Sequence, residues 1–246
     1  MMSIAANVTL DSCESTNDHV RALGEAGYAH GTWVRARTQT RGRGRHGRSW
    51  VSQAGNLFFS VLLRDVPIAN WSWVPLGVAV ATARALNNID VKIKWPNDLW
   101  LRDAKFGGVL CEGVSGASPF LVAGIGLNLF DHPENIPGSR AFYEDFQGPD
   151  YERESEIERV RKTFLVEFLN ALERVSRSDF EGLRADYERS AQFPAGTRIH
   201  WQNVEHYSGD VIGLGPHAEL LVLNERGEVV SLFSEEVMGV GGFQKG

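Results

Sequence analysis

The sequence predicts an α+β fold in which strands dominate the first 130 residues and a small all-β domain ends the chain. Runs rich in β-branched and aromatic residues, such as NLFFSVLL at 56–63, recur in the first half. A stretch with helical spacing of apolar residues follows residue 155, and short apolar runs separated by turn-forming residues follow Pro194. These patterns predict a larger domain over residues 1–192 and a small domain over residues 193–246.

Polar and apolar patterns divide the first half into two helices and several strands. Residues 15–18 can cap a short helix, and the apolar run 74–86 has the length of a buried helix. Pro96 holds Trp95 outside the helical region, so a strand ends there. The predicted strands are residues 32–36, 56–63, 91–95, 99–101, 107–112 and 119–130.

The second half is predicted to begin with two helices. Residues 155–158 (SEIE) match a capping box, and apolar residues then recur every three or four positions from Ile157 to Val175. A shorter helix places Phe180 and Tyr187 on one face. At roughly 50 residues the small domain would be marginal alone, so we expect it to pack on the larger one. Its predicted strands are the runs 197–201, 219–224 and 228–233.

Composition restricts the classes of function. The chain has 246 residues, 43% of them hydrophobic, and a net charge of −6 from 31 Asp and Glu against 25 Lys and Arg. An acidic balance argues against a general nucleic-acid coat or a membrane-surface binder. Cys13 and Cys111 are too far apart for a metal-ligand pattern, and we expect reduced thiols. Because the start of the chain lacks the pattern of a signal peptide, the expected location is the cytoplasm.

One basic stretch interrupts this acidic background. TRGRGRHGRSW at 40–50 places Arg41, Arg43, Arg45 and Arg48 among three glycines, between two predicted strands. Four like charges so close together repel one another and predict a disordered loop until an anion neutralises them. Because a guanidinium can bind phosphate or carboxylate oxygens in two places at once, the stretch is typical of an anion site.

Three other interpretations of this stretch exist. Residues 42–47 fit the GxGxxG dinucleotide fingerprint by letter, but turn-forming residues follow instead of a helix whose N-terminus would receive a pyrophosphate. An RGG-like arm would bind nucleic acid, and a solvated charged loop would bind nothing. From these residues alone, the last two interpretations stay open beside the anion site.

Three further stretches place polar residues or glycines beside predicted strands. They are KWPND at 94–98, KFGG at 105–108 and GIGLN at 124–128. Each also has an ordinary structural explanation. Asn-Asp after proline is common turn chemistry, a lysine in a turn is usually solvated, and glycines in a strand allow close backbone approach.

Taken in order, these stretches resemble the biotin protein ligases. The segments that carry the resemblance are ESTN at 14–17, QTRGRGRHGRSW at 39–50, KWPND at 94–98, KFGGVL at 105–110 and GLN at 126–128. The resemblance covers essentially the whole chain. It implies a mixed β-sheet with helices packed on it, as in the biotin/lipoate ligases, and a small C-terminal SH3-like β-barrel.

The resemblance also implies an activity. The family joins the biotin carboxylate to the α-phosphate of ATP, releases pyrophosphate, and transfers biotin from biotinyl-AMP to a lysine of a biotin carboxyl carrier protein. ATP and biotin would be the substrates, with Mg²⁺ on the phosphates. Positioned cations must offset the repulsion between a carboxylate and a polyphosphate, and the arginines and Lys105 are candidates.

Site roles follow from the resemblance, position by position. The residues expected at biotin are Ser15, Thr16, Asn17, Gln39, Gly42, Arg43, Trp50, Lys105, Gly108, Leu110 and Gly124. The residues expected at ATP or the adenylate are Arg43, Arg45, Arg48, Lys105 and Asn128. The residues expected to be catalytic are Lys105, Arg45, Arg48 and Asp98. Asp98 would orient Lys105 or the incoming carrier lysine. Loop 132–140 would close over adenine, with Phe142 as an aromatic surface.

Related functions stay open at this point. A lipoate or octanoate ligase or transferase shares the implied architecture, a nucleic-acid-binding module would use the arginine stretch as an arm, and an inactive relative would hold biotin without ligating it. Some biotin protein ligases carry an N-terminal DNA-binding domain and act as repressors. Here the segment at 15–17 begins close to Met1, so we expect a ligase without a nucleic-acid partner. Pairing of two copies through a sheet edge is also open.

Overall fold

Two β-sheets organise the chain in the computed structural model, which describes residues 7–88, 90–202, 206–233 and 236–239. The strands of the first sheet are β1 (Asn7–Cys13), β2 (Trp33–Gln39), β3 (Leu57–Leu63), β4 (Val91–Lys94), β5 (Asp98–Leu101), β6 (Ala104–Val114) and β7 (Phe120–Leu127). Their order is β1-β2-β3-β7-β6-β5-β4. The sheet is mixed, because β1 and β2 are parallel and the other neighbours are antiparallel.

Helices connect these strands and cover the sheet. The α-helices of the described residues are α1 (Thr16–Glu25), α2 (Val74–Leu86), α3 (Asp150–Ser176) and α4 (Phe180–Ser190), and the 3-10 helices are Arg45–Gly47 and Ile68–Trp73. This arrangement confirms the predicted α+β class and the predicted positions of α1, α2 and α4.

Alternating residues of β3 face two separate cores, as the period of two in a strand requires. Phe59 faces α2 and α3, and its ring meets Phe164 of α3 edge-on with 5.8 Å between the ring centroids. Leu62 faces the other way, and it packs with Val20 of α1. The start of α1 therefore lies on the face opposite the long helix α3.

The start of α3 differs from the prediction. The helix begins at Asp150 and not at the capping-box pattern of residues 155–158, with Pro149 as its N-cap residue. Asp150 and Glu152 lie in its first turn, where negative charge is favourable beside the exposed N–H groups. Ser155 is therefore inside the helix, and its spacing to Glu158 only imitates a cap.

Strand β1 was not among the predicted strands. It is an edge strand, so most of its residues are exposed and only Val8 and Leu10 alternate toward the core. The predicted hairpin of β5 and β6 is confirmed, with a tighter turn at Arg102 and Asp103 than the sequence indicated.

The second sheet lies at the C-terminal end and is antiparallel, in the order β11-β10-β9-β8-β12. Its strands are β8 (Arg198–Gln202), β9 (His206–Leu214), β10 (Leu220–Asn224), β11 (Val229–Leu232) and β12 (Glu236–Gly239). The arrangement is consistent with an SH3-like domain. The predicted boundary at residue 192 falls between α4 and β8 and stays a prediction.

Two tryptophans of the larger part hold the turn between β9 and β10. Trp73 Nε1 donates to Pro216 O at 2.8 Å, and Trp95 Nε1 donates to Ala218 O at 2.9 Å. Apolar residues of both sheets share one hydrophobic core. The C-terminal sheet is thus packed on the larger part, as its small size predicts.

Both cysteines are free, as expected. Burial raises the pKa of the Cys111 thiol, and the neighbouring Glu112 carboxylate adds to the effect. Burial also raises the pKa of the Cys13 thiol, with a further contribution from Asp18. Both thiols are therefore protonated and poor nucleophiles at neutral pH. In the described part of the chain, no helix combines the length and apolar character needed to cross a membrane.

A buried arginine joins the sheet to α3. Arg35 of β2 is 2% exposed, and its Nη1 donates to Glu154 at 2.9 Å and to Glu158 at 2.5 Å. Arg37, two residues on, contacts the same Glu154 at 3.2 Å, but its side chain is 48% exposed. The two arginines therefore bind the same helix from very different environments.

We expect Arg35→Met to lower the free energy of unfolding by about 3 kcal/mol, because one partner of a buried ion pair is removed; the value is at the low end of the usual range, since both glutamates are partly exposed. Arg37→Met, the matched control, should change it by less than about 1 kcal/mol. Urea denaturation of the three proteins measures this. Equal effects of the two substitutions would show that burial of Arg35 does not matter.

Candidate active site

A cavity of about 330 Å³ opens beside the N-terminal end of α1, on the face of the first sheet that carries this helix. The predicted site residues that line it are Ser15, Thr16, Asn17, Gln39, Arg43, Arg45, Arg48, Trp50, Asp98, Lys105, Gly108, Leu110, Gly124 and Asn128. Gly42 is the predicted residue that does not line it. Its carbonyl accepts from Trp50 N at 2.9 Å, and a methyl group there would stand 2.5 Å from Trp50 O.

Several uncharged side chains, joined by hydrogen bonds, form one end of the cavity. Gln39 Oε1 accepts from Thr16 N at 2.8 Å and from Thr16 Oγ1 at 3.1 Å, while Gln39 Nε2 donates to Ser52 Oγ at 2.8 Å. Ser60 Oγ is fully buried and lies 2.7 Å from Thr16 Oγ1 and 2.6 Å from Asn17 Oδ1. These contacts fix the side chains in place, so they offer preorganised donors and acceptors to a neutral polar ligand.

Glycines of β6 and β7 form the floor of the cavity. A methyl group at Gly124 would overlap Asn17 Oδ1, and one at Gly126 would stand 2.7 Å from Trp50 Nε1. A methyl group at Gly108 would meet nothing closer than 3.5 Å. Gly124 and Gly126 therefore allow side chains to lie directly on the backbone, whereas a methyl group at Gly108 would make only ordinary van der Waals contacts.

The arginine loop, residues 40–50, is an ordered hairpin, and the prediction of a disordered loop is wrong. Trp50 N donates to Gly42 O at 2.9 Å, and Gly44 N donates to Arg48 O at 2.8 Å. The tip of the hairpin is the 3-10 turn Arg45–Gly47. Backbone hydrogen bonds thus shape the loop.

Acidic side chains of the chain itself explain why the arginines do not force the loop apart. Arg41 lies 2.9 Å from Glu14. Arg43 Nη2 lies 2.7 Å from Asp18 Oδ1 and 2.9 Å from Glu112 Oε2. Because these carboxylates offset the positive charges, they reduce the predicted repulsion at the base of the loop.

Arg45 is fixed from the other side of the cavity. Its Nη1 donates to Asn97 Oδ1 at 2.9 Å. Asn97 is 8% exposed, and its Nδ2 donates to Val109 O at 2.6 Å. The segment KWPND therefore positions the tip of the arginine loop through a buried amide.

Lys105 and Asp98 form an ion pair on the side of the cavity that also carries Asn97. Lys105 Nζ donates to Asp98 Oδ1 at 2.7 Å and lies 5.5 Å from the centroid of the Trp50 ring. Its side chain is 34% exposed. Lys105 thus presents a positive charge to the cavity in a direction set by Asp98.

Loop 132–140 closes the next side of the cavity, beside Lys105. Lys105 N donates to Gly138 O at 2.7 Å, and Arg140 N donates to Lys105 O at 3.1 Å. Pro133 and Ile136 of this loop line the cavity. Phe142 does not line it, because its ring packs at 5.4 Å from that of Phe106, so the structure does not support the predicted aromatic surface.

Asn128 lines the cavity near loop 132–140, and the oxygen of its side-chain amide lacks a hydrogen-bond donor. It is 4% exposed, and its Nδ2 lies 3.5 Å from Ser139 Oγ, but its buried Oδ1 has no hydrogen-bond partner. A buried amide oxygen without a donor is costly. A ligand N–H group placed here would satisfy it.

Among the residues that were not predicted as site residues, three hold site side chains through polar contacts: Ser60, Asn97 and Glu112. Ser60 interrupts the apolar run NLFFSVLL, and a polar residue in a buried strand is the signal that points to it. Asn97 lies inside KWPND, where turn chemistry explained it equally well. Glu112 had no signal in the sequence, because its partners come from α1 and the arginine loop.

The described lining holds several cations and one acidic side chain, Asp98. No group of three or more His, Cys, Asp or Glu side chains suited to a metal ion occurs in the part of the chain that the structure describes. The cavity is therefore suited to an anion, with a neutral polar group at its other end.

Comparisons with known proteins agree with this geometry. The model of the biotin/lipoate A/B protein ligase family matches residues 10–128. The biotin–[acetyl-CoA-carboxylase] ligase of Mycobacterium tuberculosis is 33% identical over 214 residues, which cover 81% of this chain and 75% of that protein. The corresponding ligase of Paracoccus denitrificans is 38% identical over 135 residues, covering 49% of this chain and 53% of that protein.

A solved structure extends the likeness to the whole fold. The biotin protein ligase from Aquifex aeolicus in complex with biotin and ATP matches with a TM-score of 0.77 and 27% identity, covering 95% of this chain and 99% of that chain. The chain therefore belongs to the biotin/lipoate A/B protein ligase family. The relatives described above are biotin protein ligases.

The close packing at Gly124 and the looser packing at Gly108 predict different effects of adding a methyl group. Gly124→Ala should lower the free energy of unfolding by about 1–3 kcal/mol, because the new methyl group displaces the Asn17 amide from a packed site. Gly108→Ala, on the neighbouring strand, should change it by less than about 0.5 kcal/mol, because its methyl group meets its neighbours at ordinary van der Waals distances of 3.5 Å or more. Thermal and urea unfolding measure both. A neutral Gly124→Ala would contradict the close approach of Asn17 to β7.

Proposed function

We propose that this protein is an ATP-dependent biotin protein ligase, which activates biotin to biotinyl-5′-AMP and transfers biotin to a lysine of a carrier protein. One observation carries the proposal. A single cavity joins the uncharged end at Thr16 and Gln39 to a cationic end at Lys105 and Arg45. A neutral ring with a carboxylate tail that must meet a polyphosphate requires this combination.

The uncharged end suits the ureido ring of biotin. That ring has one carbonyl oxygen and two N–H groups, so it needs fixed donors and acceptors in one plane. The Thr16 hydroxyl and the Gln39 amide supply them, with Ser15 and Asn17 beside them in the lining. Leu110 and Gly124 line the cavity beside these residues and offer an apolar surface to the rest of the ligand.

The cationic end suits the first chemical step. A carboxylate oxygen of biotin bonds to the α-phosphorus of ATP while the bond to the bridging oxygen of pyrophosphate breaks. Lys105, Arg45 and Arg48 offset the repulsion between the two anions and the charge on the transition state. Asp98 holds Lys105 in place for this, and Asn97 holds Arg45.

The adenine of ATP fits beside loop 132–140. The buried Asn128 Oδ1 lacks a donor and would accept from the exocyclic amino group. The apolar side chains of Pro133 and Ile136 supply a surface for the ring. This proposal keeps the predicted role of Asn128 and replaces Phe142 by residues that line the cavity.

Mg²⁺ belongs to the same proposal as a companion of ATP. Within the described lining, Asp98 is the one acidic side chain, and it is paired with Lys105. Such a site fits a Mg²⁺ ion that is held mainly by the phosphates and water, which is usual for this ion. Bound there, it would neutralise phosphate charge.

The second step transfers the acyl group. The uncharged amine of a carrier lysine bonds to the acyl carbon of biotinyl-AMP, the bond from that carbon to the phosphate oxygen breaks, and AMP leaves while the amine loses a proton. Asp98 lies beside the reacting centre and would orient the incoming lysine. The name of the Mycobacterium relative supports a carboxylase carrier as the partner.

The two alternatives find less support. The lipoate and octanoate enzymes share the family, but the Mycobacterium and Paracoccus relatives described above are both named as biotin ligases. A nucleic-acid arm would need arginines whose charges are not already offset, whereas Arg41 and Arg43 are paired with carboxylates of the chain. A cytoplasmic location and pairing of two copies stay predictions from the sequence.

Exchange of labelled pyrophosphate into ATP tests the activity. Exchange should require biotin and Mg²⁺, and Lys105→Ala should lower its rate by roughly 100-fold or more, as loss of a cation at a transition state does elsewhere. Lys162→Ala, which removes an exposed lysine of α3, is the control and should leave the rate unchanged. Exchange that depends on lipoate or octanoate instead of biotin would move the proposal to the related enzymes, and no exchange with any of the three would refute it.

A further inference from the structure

We propose that Asp18 and Glu112 are positioning residues that hold the arginine loop closed over the reaction intermediate by clamping Arg43. This inference rests on the proposed function and adds two residues to it. The clamp joins three separate parts of the chain: α1 through Asp18, β6 through Glu112, and the loop through Arg43.

The geometry of the clamp is specific. Arg43 Nη2 lies 2.7 Å from Asp18 Oδ1, 2.9 Å from Glu112 Oε2 and 3.1 Å from Glu112 Oε1. Charge-assisted contacts to two carboxylates are stronger and more directional than a single exposed pair. The Glu112 side chain is 24% exposed, so solvent screens it only in part.

Glu112 also reaches the uncharged end of the cavity. Its Oε2 accepts from Asn17 Nδ2 at 2.7 Å, and Asn17 Oδ1 lies 2.6 Å from Ser60 Oγ. The same carboxylate thus binds the loop and a residue that lines the proposed ring site. Closure of the loop and the shape of the ring site are therefore coupled through one side chain.

The position of Arg43 in the loop makes an external anchor necessary. It lies between Gly42 and Gly44, whose backbones are intrinsically permissive, and the charges of the neighbouring arginines oppose closure. With its charge offset by two carboxylates, the guanidinium of Arg43 serves as the anchor. Arg45, Arg48 and Lys105 then face the phosphate, which revises the role predicted for Arg43.

Closure matters because the intermediate is an acyl phosphate anhydride. If water reaches it, the water oxygen bonds to the acyl carbon and the bond from that carbon to the phosphate oxygen breaks, giving biotin, AMP and a proton. A loop that excludes water until the carrier lysine arrives prevents this loss. The clamp should therefore affect retention of the intermediate more than its formation.

Glu112→Gln and Asp18→Asn test the clamp, because each removes a charge and keeps the size of the side chain. The glutamine oxygen can still accept from Asn17. The matched control is Glu14→Gln, which makes the same change at a carboxylate whose pair with Arg41 at the base of the loop is 61% and 74% exposed, so solvent screens it and its contribution is small. Unfolding temperatures of all variants show whether each one is folded.

The first readout needs no substrate. Trypsin should cleave Glu112→Gln and Asp18→Asn between residues 41 and 48 about tenfold faster than the wild-type protein or Glu14→Gln, as mass spectrometry of the fragments would show. In an Arg43→Met background, Glu112→Gln should add nothing further. Cleavage of both clamp variants at the wild-type rate would overturn the proposal.

The second readout is retention of labelled biotinyl-AMP during rapid gel filtration without carrier. We expect the clamp variants to lose the intermediate about tenfold faster while pyrophosphate exchange changes less than about threefold, a split that general destabilisation would not produce. Equal loss of exchange and retention would overturn the positioning role. If the wild-type protein forms no intermediate, the proposed function fails, and the trypsin readout alone decides whether the clamp exists.

Discussion

The site depends on how closely side chains can approach the backbone of β6 and β7. Asn17 lies directly on Gly124 and Trp50 lies on Gly126, so the start of α1 and the arginine loop both rest on bare backbone. A side chain at either glycine would fill the space that these groups occupy. Gly108 is packed less closely, with Lys105 and Trp50 side-chain atoms 3.5 Å from where a methyl group would stand. The positions of Asn17 and Trp50 at the cavity therefore depend on the absence of a side chain at Gly124 and Gly126.

The cavity changes from neutral to cationic along its length, and this change connects recognition to chemistry. At one end Ser60 fixes Thr16 and Asn17 through short contacts, so recognition requires little rearrangement. At the other end the cations are themselves fixed, Lys105 by Asp98 and Arg45 by an amide. Positive groups held in place before the substrates arrive lower the cost of bringing two anions together, because no reorganisation is needed during the reaction. The C-terminal sheet supports this wall through Trp95, which follows the strand carrying Lys94.

Elements with a clear apolar pattern could be predicted from the sequence, and features defined by long-range contacts could not. Helix α2 and strand β3 are buried almost throughout, so continuous apolar runs in the sequence predict them. The edge strand β1 has only two apolar residues in alternation, which is too weak a pattern to predict a strand. For the site, the arginines and Lys105 follow from motifs in the local sequence. Glu112 does not, because its role depends on a contact with a residue 95 positions away in the chain. The loop was predicted to be disordered because the arginine charges are visible in the sequence, while the carboxylates that offset them are brought near only by the fold.

The central claim is that one cavity holds both halves of a single intermediate. A crystal structure of the protein with a non-hydrolysable analogue of biotinyl-5′-AMP tests this most directly. The account predicts the ureido ring at Thr16 and Gln39, the phosphate mimic beside Lys105, and the adenine amino group within hydrogen-bond distance of Asn128 Oδ1. An analogue bound in the reverse direction, or bound outside this cavity, would contradict the account.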